Sequence, residues 1–464
     1  MLTKIVMLTM VPILAVVTST ISITACAVTE PITVAICSEN NLPKDTSFKQ
    51  DYFSADGTVE SLVLTKAVND CKSTQVPVDG KILWAGLASA ESLKGPYEQV
   101  GLQGDFSSTP YVISETIVIK NDQAKPTPEQ RPAAERQSMS STEPAQNADR
   151  VLQRGAWLWS PALWQNEQAF IWQTQTQEQL SEIYISVPID ENGDIPDATA
   201  LMQFITQASS RSLQVWVVIG DPHDILPAHQ AALERRINAF LSYNKSASKS
   251  AQLAGIQLDI EPYLLPGFAH EPARWRERYI AVIKQVHQLI NGQMMMDLVM
   301  PAWWGIHPAW GESLFSELPT ENTRISIMNY HTDLERLKTN AEPFLDWGKR
   351  KNVPIQIALE LGFLKDEHQR RYRSHADTGE LWLVSVGDQQ VFLLFDRPQT
   401  KLKGKAFSNA FEFNVPASLF TFAGNKARLN QAIDELENDW RLWLSFSGIS
   451  VHGLDDKNFS EGAQ

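Results

Sequence analysis

From residue 151 onward the chain alternates between short apolar segments and amphipathic segments, and the alternation repeats eight times. The apolar segments are typical of strands buried on both faces, and the amphipathic segments of helices that cover them. We assign the strands to residues 155–160, 182–188, 213–220, 254–261, 295–302, 324–330, 354–361 and 448–454. This pattern predicts an α/β fold, a closed (β/α)8 TIM barrel. An open doubly wound sheet is the alternative, but no glycine-rich phosphate loop follows the first strand.

Composition divides the 464 residues into further parts. Residues 121–150 are rich in Pro, Ala, Gln, Ser and Thr and nearly free of apolar residues, which predicts a disordered linker. Residues 26–120 contain alternating apolar segments and predict a small β-rich domain. The barrel is expected to span 151–464, with a β-hairpin insertion at 363–430 before the eighth strand. The insertion is either a wall of the barrel mouth or an ornament without ligand contact.

The N-terminal residues have the pattern of an export signal. A single Lys4 precedes an apolar stretch and then small residues, so residues 1–25 are expected to be a signal peptide. Ile23-Thr-Ala-Cys26 resembles a bacterial lipobox, which implies lipidation of Cys26. Ordinary cleavage after Ala27 is the alternative. The sequence therefore predicts an exported protein of the bacterial cell envelope, held at a membrane if Cys26 carries lipid.

The cysteines and the net charge indicate which covalent links, metal sites and partners are expected. Processing at Cys26 leaves Cys37 and Cys71 in an oxidising compartment, where a disulfide between them is expected; two unpaired buried thiols are the alternative. The sequence lacks the His-rich or Cys-x-x-Cys spacings that indicate a metal site, and it lacks any motif that implies a cofactor. The net charge of −14, without a basic patch, argues against nucleic acid as a partner.

The carboxyl ends of the predicted strands carry polar residues, and in barrels of this kind the functional site lies at that edge. Asp259 and Glu261 end the fourth strand and share one face with Gln257, because strand side chains alternate. Neighbouring carboxyl groups can be driven to different pKa values, which acid/base cleavage of a glycosidic bond requires. Glu360, at the end of the seventh strand, is a further candidate. The predicted catalytic residues are Glu261, Asp259 and Glu360.

Other polar and aromatic residues at the strand ends are candidates for binding a substrate. A loop cap or a place in the core is the competing interpretation for each of them, as it is for Trp157 and Trp159 on the first strand. The predicted substrate-binding residues are Tyr330, Trp303, Gln257, Asp221 and His452.

Two motifs resemble family 18 glycoside hydrolases, the chitinase-like barrels. Residues 253–261, ending in Asp259-Ile-Glu261, are similar to the end of the Asp-x-x-Asp-x-Asp-x-Glu signature, and Met328-Asn-Tyr330 resembles the sixth-strand Met-x-Tyr. The resemblance implies that Glu261 is the general acid/base, that Asp259 orients an N-acetyl group and that Tyr330 is its hydrogen-bond partner. The chain departs from the family at Ala254 and Gln257, where the first two aspartates would stand, at His331, and in lacking a Trp at the end of the eighth strand.

A second resemblance is to the clan A retaining glycosidases. Ile260-Glu-Pro262 is similar to their fourth-strand Asn-Glu-Pro, with Ile in place of Asn, and Glu360-Leu-Gly362 is similar to their seventh-strand nucleophile motif. This resemblance implies Glu261 as acid/base and Glu360 as nucleophile, about 5 Å apart in a retaining enzyme. Both resemblances cover only the barrel, and both assign the proton donor to Glu261.

These features predict an exported glycoside hydrolase that cleaves a polysaccharide or cell-envelope glycan. The alternative is a non-catalytic lipoprotein, either a glycan-binding protein or an envelope scaffold with a degenerate barrel. Neutralisation of the candidate carboxylates by Arg or Lys would favour a scaffold, whereas carboxylates facing each other in a cleft would favour catalysis.

Overall fold

The computed structural model describes residues 31–68, 70–88, 97–107, 110–120, 150–306, 310–400 and 402–455. The predicted signal peptide, Cys26 and all of the predicted linker except residue 150 lie outside the described residues. In the described ranges, no helix combines the length and the apolar character that a membrane crossing needs.

The described chain contains nineteen strands and eight α-helices. In chain order the strands are β1 (Ile32–Ser38), β2 (Thr46–Phe53), β3 (Val59–Thr65), β4 (Lys72–Val76), β5 (Ile82–Leu87), β6 (Tyr97–Asp105), β7 (Val112–Lys120), β8 (Gln153–Leu158), β9 (Glu182–Ile185), β10 (Gln214–Ile219), β11 (Gly255–Leu258), β12 (Met295–Pro301), β13 (Thr323–Met328), β14 (Ile355–Glu360), β15 (Glu367–His375), β16 (Gly379–Val386), β17 (Gln389–Gln399), β18 (Lys405–Val415) and β19 (Phe446–His452). The helices are α1 (Pro161–Gln165), α2 (Gln168–Glu178), α3 (Ala198–Ser210), α4 (Gln230–Ser246), α5 (Pro272–Ile290), α6 (Gly311–Glu317), α7 (Leu334–Lys351) and α8 (Lys426–Trp440).

Eight parallel strands close into a barrel, in the order β10-β11-β12-β13-β14-β19-β8-β9. The predicted TIM barrel is confirmed, with the insertion strands β15 to β18 placed between the seventh and eighth barrel strands. The fourth barrel strand is shorter than predicted: β11 ends at Leu258, and Asp259 to Glu261 form the start of the loop that follows. The two candidate carboxyl groups, Asp259 and Glu261, therefore lie just beyond the strand.

The space between the barrel and its helices is filled by apolar side chains. On α5, Trp275, Tyr279, Val282 and Val286 recur at helical spacing on one face, and all four are buried against the barrel. Trp304 and Trp310 stack there with ring centroids 4.1 Å apart. This packing supports the loops after β11 and β12 from the outside.

The insertion and the N-terminal segment share one sheet. Its seven strands follow the order β5-β17-β16-β18-β15-β6-β7, so that β5 pairs with β17 and β6 with β15 of the insertion, while β7 pairs with β6 at the edge. A separate four-stranded sheet, β2-β3-β1-β4, packs its apolar face against β16 and β17 through residues such as Val34, Leu62 and Trp382. Cys37 and Cys71 are joined by a disulfide beside this sheet. The two parts that the sequence separates thus form a single β-rich body.

The turn between β2 and β3 contacts the barrel at the loop that follows β11. The backbone N–H of Phe53 donates to the carbonyl of Pro266 at 2.8 Å, and Ala55 is buried in the apolar cluster of the barrel. Gly267 has φ +105°, and any Cβ there would collide with the Phe53 carbonyl. This turn, residues 53–58, therefore braces the loop that carries Glu261.

Candidate active site

Two of the three candidate carboxylates belong to the loop after β11. Gly220, at the end of β10, permits this placement, because a Cβ at that position would lie only 2.0 Å from the backbone oxygen of Asp259. The backbone N–H of Asp259 donates to the carbonyl of Ile219 at 2.9 Å, so the loop stays attached to the neighbouring strand. Glu261, which is 5% exposed, then precedes Pro262 and a short 3-10 turn. The prediction that Asp259 and Glu261 lie together holds through this loop.

Asp259 has a side-chain oxygen that no described residue pairs. Its Oδ1 is buried and has no hydrogen bond within the described residues. Burial raises the pKa of Asp259 to about 6; the charge of Asp297 adds to the rise, and a protonated His452 opposes it. No Arg or Lys of the described chain forms an ion pair with Asp259. Asp259 thus carries a buried acceptor oxygen that folding leaves unsatisfied.

Glu261 is held in the protonated form more strongly than an ordinary glutamate. Burial raises its pKa well above the usual range, and the neighbouring carboxylate of Asp259 raises it further. The phenol of Tyr263 donates a hydrogen bond to Glu261 Oε1 and partly opposes the rise. The sequence analysis missed Tyr263; the available signal was its spacing, two residues after Glu261 across a proline that starts a turn.

Glu360 lies at the end of β14 and is 2% exposed. Its Oε2 accepts from Nδ1 of His452 at 2.8 Å, and its Oε1 accepts from the backbone N–H of Gly362. Both carboxylate oxygens therefore have partners from the protein. His452 also accepts a hydrogen bond at Nε2 from the indole N–H of Trp159, at 2.8 Å.

Tyr330 stands among the three acids. Burial raises its pKa well above the usual range, and the charges of Glu360, Asp259 and Glu261 add to the rise. Its hydroxyl has no hydrogen bond within the described residues. The structure thus brings Tyr330 together with the predicted catalytic residues, and its O–H is free to donate to a ligand.

Gln257 lies under the site and does not open onto it. It is fully buried, its Oε1 accepts from the indole N–H of Trp157 at 2.7 Å, and its Nε2 donates to Asp297 Oδ2 at 2.8 Å. Asp297 in turn is paired with Arg324 at 2.7 Å. Since both ends of the amide are bonded within the barrel, the predicted contact of Gln257 with a substrate is corrected to a supporting role.

Asp221 is not brought together with the carboxylates. Its side chain caps the short turn after β10 by accepting from the backbone N–H and the ring Nδ1 of His223, at 2.8 and 2.7 Å. Burial alone would raise the pKa of Asp221, but these hydrogen bonds hold it below its usual range. The local cap, which the sequence analysis kept as the competing interpretation, describes Asp221 in this structure.

The aromatic candidates separate into a core group and a wall group. Trp157 is nearly fully buried and stacks on Tyr184 with ring centroids 4.7 Å apart. Trp159 and Trp303 are half-buried at the strand ends. Trp303 meets Tyr263 edge to face at 5.7 Å, which places it beside the loop of Glu261. Trp159 and Trp303 are therefore the rings that remain accessible to a ligand.

Deeper in the barrel the charged groups are paired. Arg324, on β13, donates to Glu182 at 2.8 and 3.0 Å and to Asp297 at 2.7 Å, and its guanidinium lies 4.1 Å from the ring centroid of Trp216. The sequence analysis did not assign this network, although an Arg inside an apolar strand was its signal. In the described part of the chain, no group of three or more His, Cys, Asp or Glu residues is arranged to hold a metal ion.

This arrangement provides a protonated carboxyl group, an unpaired carboxyl group next to it, a free phenol and accessible aromatic rings at one end of a barrel. A buried acid with a raised pKa can donate a proton to a leaving oxygen, and a neighbouring carboxylate can stabilise positive charge that develops as the bond breaks. Such groups suit the cleavage of a glycosidic bond.

No protein-family model matches this chain, and no curated protein matches it. Among solved structures the chain is similar to the chitinase from Chromobacterium violaceum ATCC 12472, with 12% identity, a TM-score of 0.36 and coverage of 68% of this chain and 100% of that chain. It is also similar to the GH18 chitinase from Cycas revoluta in complex with (GlcNAc)3, with 10% identity, a TM-score of 0.37 and coverage of 66% and 96%. The Bacillus cereus spore cortex-lytic enzyme SleL has 12% identity, a TM-score of 0.34 and coverage of 65% and 70%.

Proposed function

We propose that this protein is a glycoside hydrolase that cleaves a polysaccharide or cell-envelope glycan by acid/base chemistry. Glu261 donates its proton to the leaving oxygen as the glycosidic bond breaks, and Asp259 stabilises the positive charge that develops at the sugar carbon. A water molecule then adds to that carbon and gives up a proton that restores Glu261. Tyr330 donates a hydrogen bond to the bound sugar, and Trp303 and Trp159 supply apolar faces for its ring. The proposal applies to the end of the barrel where the loops after β11, β12 and β13 meet.

The observation that carries the proposal is the unpaired Oδ1 of Asp259 beside the protonated Glu261. A buried acceptor without a donor costs free energy in the folded protein, and a ligand N–H or O–H would satisfy it. The raised pKa of Glu261 keeps a proton available at pH values where an ordinary glutamate is ionised. The deeper carboxylates Asp297 and Glu182 are paired with Arg324, whereas Asp259 and Glu261 are left without a cation.

The hydrogen bonds of the two remaining candidates favour Asp259 over Glu360 as the catalytic partner of Glu261. A nucleophile must direct an oxygen at the sugar carbon, but both oxygens of Glu360 already accept hydrogen bonds, from His452 and Gly362. Asp259 keeps an oxygen without a partner. We therefore assign the assisting role to Asp259. Glu360 is assigned the role of raising the pKa values of Tyr330 and His452 through its charge.

Replacement of Glu261 by Gln tests the proposal. Glu261→Gln keeps the size of the side chain but cannot protonate a leaving group, so release of reducing ends from a panel of bacterial glycans should fall by about 10²-fold or more. The matched control is Glu277→Gln, an exposed position on α5, which should leave the release unchanged. Equal release by wild type and Glu261→Gln would exclude the assigned proton donor. Binding of a glycan without any release by the wild type would instead support a non-catalytic glycan-binding protein.

The proposed setting is the bacterial cell envelope, with Cys26 as the lipid-modified residue. Support comes from the signal-like N-terminal sequence and from the disulfide between Cys37 and Cys71, which persists in oxidising compartments. Cells fed a labelled fatty acid should label the wild-type protein but not Cys26→Ala, and the variant should move from the membrane fraction to the soluble exported fraction. Equal labelling of both proteins would contradict the assignment.

A further inference from the structure

His452 lies between an acceptor and a donor, and the two partners determine which ring nitrogen carries the proton. The indole N–H of Trp159 can only donate, so Nε2 of His452 must accept it, at 2.8 Å. Nδ1, which faces Oε2 of Glu360 at 2.8 Å, then carries the hydrogen and donates it to the carboxylate. The two contacts together are compatible with a single state, the neutral imidazole protonated on Nδ1.

Both ends of this chain of hydrogen bonds are fixed to the backbone. Glu360 Oε1 accepts from the N–H of Gly362, and the backbone N–H of Trp159 donates to Asp455 Oδ2 at 2.8 Å. The connected groups come from the ends of β14, β19 and β8, which are neighbours in the barrel. The imidazole therefore ties three strand ends together at the edge of the site.

The imidazole also forms part of the site wall. Its ring lies 6.1 Å from that of Tyr330 at an interplanar angle of 31°, and 5.9 Å from that of Trp159. We propose that His452 is a positioning residue of this site, which as the Nδ1-protonated neutral imidazole holds the Glu360 carboxylate and the Trp159 ring in one arrangement. The structural part of the proposal stands alone, and its kinetic consequence rests on the proposed glycosidase function.

Protonation of His452 breaks this arrangement. A cationic imidazole has N–H groups at both nitrogens, so its Nε2–H would face the indole N–H of Trp159, and the ring of Trp159 must move away. Burial opposes the charge, but the carboxylates that face His452 raise its pKa: Glu360 on β14, Asp455 after β19 and Asp259 after β11. Tyr330, at the end of β13, is the remaining titratable group against the ring and stays neutral. The two partners thus act in opposite directions, Glu360 favouring the cation and Trp159 the neutral ring.

Nuclear magnetic resonance of the full chain labelled with ¹⁵N-histidine tests the structural part without any substrate. At pH 8 the resonances assigned to His452, identified by their loss in His452→Gln, should show a protonated Nδ1 and an unprotonated Nε2. Trp159→Phe removes the donor to Nε2 and should raise the pKa of His452 by about one unit, whereas Glu360→Gln removes the facing charge and should lower it. The control Trp443→Phe, at the opposite end of the barrel, should leave this pKa unchanged.

An Nε2-protonated ring at pH 8, or an unchanged pKa of His452 in both Trp159→Phe and Glu360→Gln, would overturn the proposal. The kinetic arm uses a glycan that the wild type cleaves: Trp159→Phe and His452→Gln should raise KM several-fold more than they lower kcat, because a misplaced wall weakens binding before it affects proton transfer. A loss confined to kcat would contradict the positioning role. If no glycan is cleaved, the proposed function fails while the magnetic resonance result still decides the role of His452.

Discussion

At the scale of single residues, the barrel treats two sets of buried acids differently. Asp297 and Glu182 share the guanidinium of Arg324, so their charges are neutralised inside the fold. Asp259 and Glu261 have no such cation, and burial raises the pKa of both, to about 6 for Asp259 and well above the usual range for Glu261. A buried ionisable pair without a counter-charge destabilises the folded state once it ionises, and groups of this kind cluster at functional sites.

This difference predicts a pH-dependent effect on stability. Because the folded-state pKa values of Asp259 and Glu261 are raised, their contribution is favourable at low pH and is lost as the pH rises through those values. For Asp259, a rise from 3.8 to about 6 corresponds to a cost on the order of 3 kcal/mol above pH 6. Calorimetry should therefore find Asp259→Asn more stable than wild type at pH 8, by a few degrees in Tm, and the difference should shrink toward pH 4.

The control for this measurement is Glu277→Gln, whose exposed side chain should change Tm little at either pH. A destabilised Asp259→Asn at pH 8 would show that the carboxylate is satisfied in the folded protein. It would also remove the argument that a ligand is needed to complete the site.

The sequence predicted the location of some of these site residues but not of others. The strand-end position was enough to place Asp259 and Glu261 at the mouth of the barrel. Strand alternation is not what brings them together, because both residues follow the end of β11 in a loop. The strand pattern was insufficient for Gln257. This residue lies deeper in the barrel, where its side-chain amide is hydrogen-bonded to Trp157 and Asp297. The hydrogen bond from Tyr263 to Glu261 forms in a 3-10 turn, where side chains do not alternate as they do in a strand. No periodic pattern of the sequence could therefore predict it.

At the scale of elements, the turn of residues 53–58 is the part of the N-terminal segment that reaches the site. Phe53 donates a backbone hydrogen bond to Pro266 in the loop of Glu261 and meets His223, in the turn after β10, edge to face at 5.3 Å. Ala55 is buried in the apolar cluster of the barrel. Such a brace reduces the freedom of a catalytic loop, and a proton donor needs that restriction to act at a fixed distance.

A charge at Ala55 should release this brace. Ala55→Glu places an unpaired carboxylate in the apolar cluster of the barrel, so the turn is expected to leave its position. Hydrogen exchange should become faster for the amides of residues 259–268 and stay unchanged in α8. Glu277→Gln, at an exposed position on α5 outside the turn, is the control and should leave the exchange as in wild type. Unchanged exchange in Ala55→Glu would mean that the loop holds its own conformation.

At the scale of the whole molecule, the barrel was predictable and the β-rich body was not. Eight apolar segments with helical crossovers permit few topologies, because parallel strands need such connections. The alternation in 26–120 and 363–430 predicts strands and their faces but not their partners, and the pairs that matter are distant: Leu393 of β17 pairs with Ala85 of β5, and Arg371 of β15 with Gly101 of β6. Contacts of this separation depend on the complete fold, so two apparent appendages form one sheet.

This shared sheet predicts that the chain stays assembled after it is cut between residues 121 and 149. Residues 31–120 contribute three strands to the seven-stranded sheet, and Cys37 and Cys71 both lie in that fragment, so no disulfide ties it to the rest. A protease site inserted there should give two fragments that elute together in gel filtration. Ala85→Glu, which charges the core beside β17, should weaken this association and release the N-terminal fragment. Separate elution of the wild-type fragments would contradict the shared sheet, because a body joined by strand pairing on both sides has to be unfolded before its parts can separate.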